Sequence, residues 1–210
     1  MTKARNDLTD FQQPFAIDHA PVASFVEAVR TLRPTGIIGV STAPKTFNQQ
    51  VIEAMSDINE RPIIFPYSNP TSRSECTAEE AYHWSNGRAI FASGSPFPPV
   101  EYNGKTFVPG QGNNVYIFPA MGMAVFATQA KRVTEAMFIV AAKAVAEQVS
   151  QETLATGLIY PPQRKIFEAS LHVAVRLAQF IFDQNLARVP RMADIEAHVR
   201  SCAYRPIYPD

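Results

Sequence analysis

Three short apolar runs, separated by two helical patterns, constrain the fold of this chain more than any other feature. The runs occupy residues 36–41, 62–67 and 89–92. Between them, residues 48–58 carry apolar side chains at helical spacing, and residues 77–87 begin with a Thr-Ala-Glu-Glu capping sequence. Short, continuous apolar runs bounded by turn residues are typical of strands buried in a parallel sheet. The order strand, helix, strand, helix, strand therefore predicts an α/β fold with right-handed crossovers.

The rest of the chain is predicted to be one hairpin followed by helices. Asn103-Gly104 lies between two β-prone segments, which favours a tight hairpin. From residue 116 onward the pattern becomes helical. The predicted helices occupy residues 118–128, 134–149 and 166–182, and a short helix with an aromatic extension covers 195–208. We expect residues 1–130 to form the sheet domain and residues 131–210 a helical segment packed on it.

Composition excludes several classes of partner. The chain has 19 basic and 19 acidic residues and a net charge of zero, so no basic excess would attract nucleic acid. No apolar stretch reaches the roughly 18 residues that span a bilayer. The polar first 13 residues do not resemble a signal peptide. Cys76 and Cys202 are too few and too far apart for a disulfide framework. These features predict a cytoplasmic protein with no membrane or nucleic-acid partner.

Two asparagine-containing loops follow apolar runs. Asn69 lies in Ser-Asn-Pro-Thr after the second run, and Asn113 and Asn114 lie in Gly-Gln-Gly-Asn-Asn. The carboxyl ends of parallel strands are where open α/β sheets bind ligands, and an asparagine amide both donates and accepts hydrogen bonds there. Asn69 before Pro70 could equally be a turn residue, and Asn113 or Asn114 could cap the following helix.

Five segments, in order, resemble the C-terminal, nucleotide-binding part of malic enzymes. They are Gly-Val-Ser, Pro-Tyr-Ser-Asn-Pro-Thr, Glu-Cys-Thr-Ala-Glu-Glu-Ala-Tyr, Ala-Ser-Gly-Ser-Pro-Phe and Gly-Gln-Gly-Asn-Asn-Val-Tyr-Ile-Phe-Pro. The resemblance extends over nearly the whole chain, from about residue 11 to about residue 204. It implies that residues 1–130 are the second half of a Rossmann-like, doubly wound NAD(P)-binding domain, followed by the family's C-terminal helices.

The resemblance also implies a reaction and a set of binding residues. Malic enzymes oxidise L-malate with NAD or NADP and a divalent metal, Mg²⁺ or Mn²⁺, and decarboxylate the intermediate to pyruvate and CO2. The residues matching family positions that contact malate or the nicotinamide end of the cofactor are Asn69, Asn113 and Asn114. The residues matching positions that lie against the dinucleotide are Gly39, Val40, Ser41 and Ser68, together with Asn69.

Several parts of the family pattern are absent. No Gly-x-Gly-x-x-Gly motif occurs. The family's catalytic tyrosine and lysine, its acidic metal ligands and its malate-binding arginine belong to segments upstream of those matched here. We therefore predict no catalytic or metal-binding residue in this chain and expect it to be inactive alone. Gln12 stands where NADP-preferring relatives often carry a lysine, which favours NAD while leaving NADP open.

There are two alternatives to the malic enzyme function. A non-catalytic, truncated dinucleotide-binding or assembly module is the main alternative. A different α/β enzyme is disfavoured because no other acid–base or metal constellation is evident. If the first half of the sheet is missing, residues 36–41 form an open apolar edge, which promotes pairing with another chain. We therefore expect a homo-oligomer, or a requirement for the missing N-terminal half.

Overall fold

The computed structural model describes residues 1–204, and the α/β class expected from the sequence is confirmed. Its strands are β1 (Gly36–Gly39), β2 (Ile63–Pro66), β3 (Ile90–Ser93), β4 (Val100–Tyr102), β5 (Lys105–Phe107) and β6 (Gly110–Gln111). Strands β1, β2, β3 and β6 form one parallel sheet in that order, while β4 and β5 pair separately. The three apolar runs are thus neighbouring strands of a parallel sheet, as predicted.

The fourth parallel strand, β6, differs from the sequence-based expectation, which places these residues in a loop. β6 contains only two residues, and it pairs with β3 through Ala92–Gly110 and Ser93–Gln111. A two-residue segment of glycine and glutamine has no intrinsic strand preference. It becomes a strand because β3 offers it an unpaired edge.

Three helices cover one face of the sheet; the first precedes β1, and the other two connect β1 to β2 and β2 to β3. They are α1 (Phe25–Leu32), α2 (Gln49–Ile58) and α3 (Ala78–Trp84). The capping box predicted for α3 is confirmed, because Thr77 Oγ1 accepts from the Glu80 amide while the Glu80 carboxylate accepts from the Thr77 amide. Asn48 likewise caps α2 through the Val51 amide, at 3.1 Å. These caps satisfy amides that would otherwise lack partners at each helix start.

The first hydrophobic core lies between this sheet face and the helices. Ile37, Ile64 and Phe91, one from each of β1, β2 and β3, pack against α2 and α3. On the opposite face of β1, Ile38 is 64 % exposed. β1 is also the terminal strand in the order of the sheet. One apolar face and one edge of this strand are therefore uncovered in the part of the chain that the structure describes.

The predicted hairpin is confirmed. β4 and β5 are antiparallel, with Val100 opposite Phe107 and Tyr102 opposite Lys105. Asn103 and Gly104 between them have φ values of 48° and 74°. Both lie in the left-handed region, as a type I′ turn requires, and Asn-Gly tolerates that region best.

The second hydrophobic core is helical. Its helices are α4 (Phe118–Thr128), α5 (Glu135–Ala146), α6 (Gln151–Ala155), α7 (Ile166–Asp183) and α8 (Ile195–Cys202). The central helix α7 buries Leu177 and Ile181 between α4, α5 and α8. The five-residue α6 was not predicted because it is too short to show a helical period. The aromatic extension expected at residues 205–208 lies outside the described residues, and the division of the chain at residue 130 stays a prediction.

Within residues 1–204, no helix combines the length and the apolar character needed to cross a membrane.

Candidate functional site

A cavity of about 680 Å³ opens at the carboxyl ends of the parallel strands. Residues following β1, β2, β3 and β6 form one wall, and α5 and the segment containing Ile159 and Tyr160 form the other. This is the edge at which open α/β sheets bind ligands. The cavity is large enough for a small-molecule site, since such sites are typically about 300–1,000 Å³.

The structure brings four of the seven predicted binding residues to this cavity. Val40, Asn69, Asn113 and Asn114 line it, although they lie up to 74 positions apart in sequence. The other three, Gly39, Ser41 and Ser68, do not line it. They surround the carboxylate of Glu75 instead.

Glu75 joins the ends of two strands. Its carboxylate is 0 % exposed and accepts hydrogen bonds from the Ser41 amide at 3.0 Å and the Ser41 hydroxyl at 2.8 Å. It also accepts from the Ser68 hydroxyl at 2.5 Å. A Cβ atom on Gly39 would lie 2.4 Å from the Glu75 Cδ atom, so only glycine fits beneath the carboxylate. Glu75 therefore ties the loop after β1 to the loop after β2.

The ionised form of Glu75 is stabilised by these donors. Burial alone would raise the pKa of the carboxyl, but the hydrogen bonds from Ser68 and Ser41 outweigh it, so the pKa lies below its ordinary value. The same hydroxyl of Ser68 accepts from the Thr42 amide at 2.8 Å. The negative charge is thus held at a fixed position behind the cavity wall.

Asn69 is oriented by a neighbouring serine. The Ser95 hydroxyl donates to Asn69 Oδ1 at 2.8 Å, which leaves the amide NH2 group of Asn69 as a donor. Gly94 permits this approach, since a Cβ atom there would lie 2.2 Å from the Tyr67 carbonyl oxygen and 3.0 Å from Asn69 Nδ2. The Asn69–Pro70 peptide bond is cis and a 3-10 turn follows it, so Asn69 is also part of a turn, as the alternative interpretation expected.

Asn113 and Asn114 differ in their surroundings. Asn113 Oδ1 accepts from the Val115 amide at 2.9 Å and caps the 3-10 turn Asn114–Tyr116, as the second alternative expected. Asn114 is exposed, and its side chain makes no hydrogen bond within residues 1–204. Capping and ligand contact are compatible for Asn113, because its NH2 group is not used by the cap.

Three tyrosines line one side of the cavity. Tyr67 and Tyr160 share a hydrogen bond of 2.7 Å between their hydroxyl groups, and Tyr116 stacks on Tyr160 with ring centroids 5.3 Å apart. The Tyr67 ring lies against Gly112, where a Cβ atom would be 2.7 Å from Tyr67 Cε1. Burial, and then the Tyr160 hydroxyl, raise the pKa of Tyr67, so this phenol stays neutral.

Sequence reasoning missed Glu75, Tyr67 and Tyr160 as contributors to this site. Glu75 and Tyr67 lie inside motifs that were recognised, but nothing local distinguishes a buried carboxylate from the exposed Glu79 nearby. Tyr160 lies 93 residues from Tyr67, so their contact has no sequence signal. In the described part of the chain, no group of three histidine, cysteine or acidic side chains is arranged to hold a metal ion.

Known proteins similar in sequence to this chain are malic enzymes. Residues 1–182 match the family model described as the malic enzyme NAD-binding domain. The chain is 50 % identical over 205 residues to an NADP-dependent malic enzyme of Vitis vinifera, covering 97 % of this chain and 35 % of that protein. It is 51 % identical over 204 residues to a chloroplastic NADP-dependent malic enzyme of Flaveria pringlei, covering 97 % and 32 %. The chain thus spans about a third of the length of these relatives.

Solved structures show the same similarity. The malic enzyme of Pyrococcus horikoshii is 26 % identical, with a TM-score of 0.64 over 84 % of this chain and 36 % of that one. The Entamoeba histolytica malic enzyme superposes with a TM-score of 0.72 over 96 % of this chain and 40 % of that one. At 19 % identity, this second likeness shows the fold alone.

Proposed function

Because the chain belongs to the malic enzyme family, we propose that it is the C-terminal, NAD(P)- and malate-binding part of an enzyme that converts L-malate to pyruvate and CO2. The observation that supports this most is the meeting of Asn69, Asn113 and Asn114 at one cavity at the carboxyl ends of the sheet. Neutral amides suit this function because they can bind both a carboxylate and a carboxamide without adding charge.

In this proposal the three asparagines hold malate or the nicotinamide end of the dinucleotide. The NH2 group of Asn69 is available for donation because the Ser95 hydroxyl occupies its Oδ1 atom. Asn114 contributes an amide that is free of hydrogen bonds to residues 1–204. A donor already oriented by a neighbour loses less side-chain entropy when it binds a ligand.

The dinucleotide is compatible with the lining of the cavity. Ala142, Val145 and Ile159 give the cavity an apolar lining beside the three asparagines. An apolar wall with a few placed polar groups is the usual composition of a cofactor site. The bound cofactor supplies the hydride acceptor. Val40 contacts the cofactor in this proposal, while Ser41 and Ser68 fix its loop through Glu75.

A divalent metal is implied by the family, but the described residues do not provide a group of three ligands for it. We therefore assign no step to a metal on this chain. The choice of dinucleotide also belongs to the proposal. The relatives named above are NADP-dependent, whereas the neutral amide of Gln12 favours NAD, so both cofactors are tested.

Binding of the dinucleotide tests the proposal directly. The purified chain is titrated with NADP and with NAD by calorimetry, in the presence and absence of L-malate. Asn69→Ala and Asn114→Ala should each weaken binding about tenfold, since a hydrogen bond to a ligand is worth about 1.5 kcal/mol. Asn6→Ala, an exposed asparagine of the N-terminal segment, serves as the control and should change nothing. Failure to bind either dinucleotide would contradict the proposal.

Turnover then separates the enzyme from the binding module. Malate-dependent reduction of each dinucleotide is measured with Mn²⁺ present, for the unaltered chain and for Asn69→Ala. Turnover that disappears in the variant would mean that the chain carries a complete site. Binding without turnover would favour the alternative, a dinucleotide-binding or assembly module, or a site that another polypeptide segment completes.

A further inference from the structure

We propose that a second cavity, at the opposite end of the sheet, binds a small dianion. This cavity, of about 500 Å³, is lined by Arg61, Arg88 and Lys105. Arg61 and Arg88 precede β2 and β3, so they lie at the amino ends of the strands. These arginines therefore lie at the end of the strands opposite the asparagines, and the four-residue strand β3 separates the two ends by roughly 13 Å.

The charge balance of the second cavity carries the inference. Three cationic side chains line it, and none of its lining residues is acidic. The chain as a whole has a net charge of zero, so this is a local excess. Across residues 1–204, none of these three side chains has a carboxylate within 4.0 Å. Cations gathered in a concavity repel one another and attract a counter-ion into it.

Arg88 is held in place without being neutralised. Its Nε atom donates to the Ser85 carbonyl at 3.2 Å, and Nη1 donates to the carbonyls of Asn59 and Glu60 at 3.2 Å and 3.3 Å. Carbonyl oxygens fix the guanidinium but leave its full charge and the Nη2 hydrogens available. A guanidinium positioned in advance is suited to bind a carboxylate or phosphate.

Lys105 and Arg61 complete the charge on the rim. Lys105 Nζ lies 4.6 Å from the centre of the Phe107 ring, so the aromatic face positions the ammonium beside the cavity. Arg61 is exposed. On the other side, Gln151 of α6 adds a neutral amide, and Leu154 adds apolar surface. The volume of this cavity, about 500 Å³, lies within the range of about 300–1,000 Å³ that is typical of small-molecule sites.

The ligand class follows from these donors. One fixed guanidinium and two more mobile cations match an anion with two negative charges, either a phosphate group or a dicarboxylate. The inference goes beyond the proposed function, because it needs neither malate oxidation nor a dinucleotide. The two cavities are nevertheless adjacent, since Ile159 lines both.

Calorimetric titration of the purified chain with inorganic phosphate, and separately with succinate, tests the proposal at constant ionic strength. We expect saturable binding of phosphate, of succinate or of both. The anion with the lower dissociation constant identifies the class of ligand. The double variant Arg61→Gln/Lys105→Gln should weaken binding at least about tenfold. Both side chains are exposed, so the fold should be unaffected, which circular dichroism verifies.

Two controls locate the binding. Arg30→Gln/Lys165→Gln removes the same charge from exposed positions outside the cavity and should leave affinity within about twofold. Asn69→Ala tests whether the anion enters the other cavity instead, which Asn69 lines; a loss of affinity in this variant would place it there. The proposal is overturned if neither anion saturates, if the control pair weakens binding as much as the cavity pair, or if Asn69→Ala abolishes it. Its failure would leave the dinucleotide titrations unaffected.

Discussion

The hydroxyl of Ser68 donates a 2.5 Å hydrogen bond to the fully buried carboxylate of Glu75. This contact joins the residue that precedes Asn69 to the segment that leads into α3. The amide and hydroxyl of Ser41 also donate to this carboxylate, and these hydrogen bonds offset the cost of burying its charge. The position of the candidate site's rim therefore depends on a single charged group that does not itself line the cavity.

Replacement of Glu75 should destabilise the fold. Glu75→Gln removes the charge and leaves donors of Ser41 and Ser68 poorly matched in a buried environment. We expect the free energy of unfolding, measured with urea, to fall by about 2 kcal/mol, the usual value for hydrogen bonds to a charged group. Glu79→Gln, an exposed glutamate of α3, should change it by less than about 0.5 kcal/mol. Equal effects of the two substitutions would contradict the role given to Glu75.

The lowered pKa of Glu75 predicts that the stability of the fold depends on pH. The pKa of Glu75 is lowered in the folded chain from its ordinary value of 4.5, so the unfolded chain binds the proton more tightly. The stabilisation from Glu75 is therefore complete above pH 4.5 and is lost as the pH falls through the lower, folded pKa. Urea midpoints of the unaltered chain and of Glu75→Gln should converge on acidification. A gap that stays constant below that pH would show the prediction to be wrong.

Gly94 should be intolerant of any side chain. A Cβ atom would lie 2.2 Å from the Tyr67 carbonyl oxygen, and backbone cannot move away as a flexible side chain could. We expect Gly94→Ala to cost about 3 kcal/mol of unfolding free energy or more. Gly122 in α4 is the matched control, because nothing lies within 4 Å of its Cβ position. Gly122→Ala should stabilise the chain by up to about 1 kcal/mol, because alanine is the better helix former.

Ser95 should act on ligand binding through Asn69. Ser95→Ala removes the donor to Asn69 Oδ1 and frees the amide to rotate. Affinity for the ligand that Asn69 holds should fall about threefold to tenfold, the equivalent of one neutral hydrogen bond. The measurement is dinucleotide titration of this variant beside Ser201→Ala, an exposed serine of α8. Ser95→Ala should add little in an Asn69→Ala background, and full additivity would argue against coupling of the pair.

The edge of the sheet should promote self-association. Ile38 and Val40 are 64 % and 76 % exposed, and β1 is the terminal strand. The unaltered chain should show a concentration-dependent mass above that of the monomer in light scattering. Ile38→Lys should reduce this self-association, because a charged side chain on an edge strand opposes pairing with another strand. Val133→Lys, which alters another exposed apolar position, should not. A monodisperse monomer at all concentrations would exclude this edge as an interface between copies.

Much of this architecture is determined by local sequence. β1, β2 and β3 are apolar runs bounded by turn residues, and their pairing order follows from the helices between them. Thr77 and Glu80 specify the start of α3, while Asn103-Gly104 specifies the hairpin. Each signal lies within a few residues of the structure it produces, because caps and turns are satisfied by neighbouring backbone groups. The family motifs identify the asparagines in the same way.

Only the tertiary structure decides what surrounds those asparagines. β6 is a strand because β3 pairs with it, and the hydrogen bond between Tyr67 and Tyr160 joins residues 93 positions apart. Glu75 becomes a buried anion only when the ends of β1 and β2 meet around it. The physical reason is common to all three. A local pattern records the preferences of neighbouring residues, whereas burial and long-range hydrogen bonds depend on which distant segments the folded chain brings together.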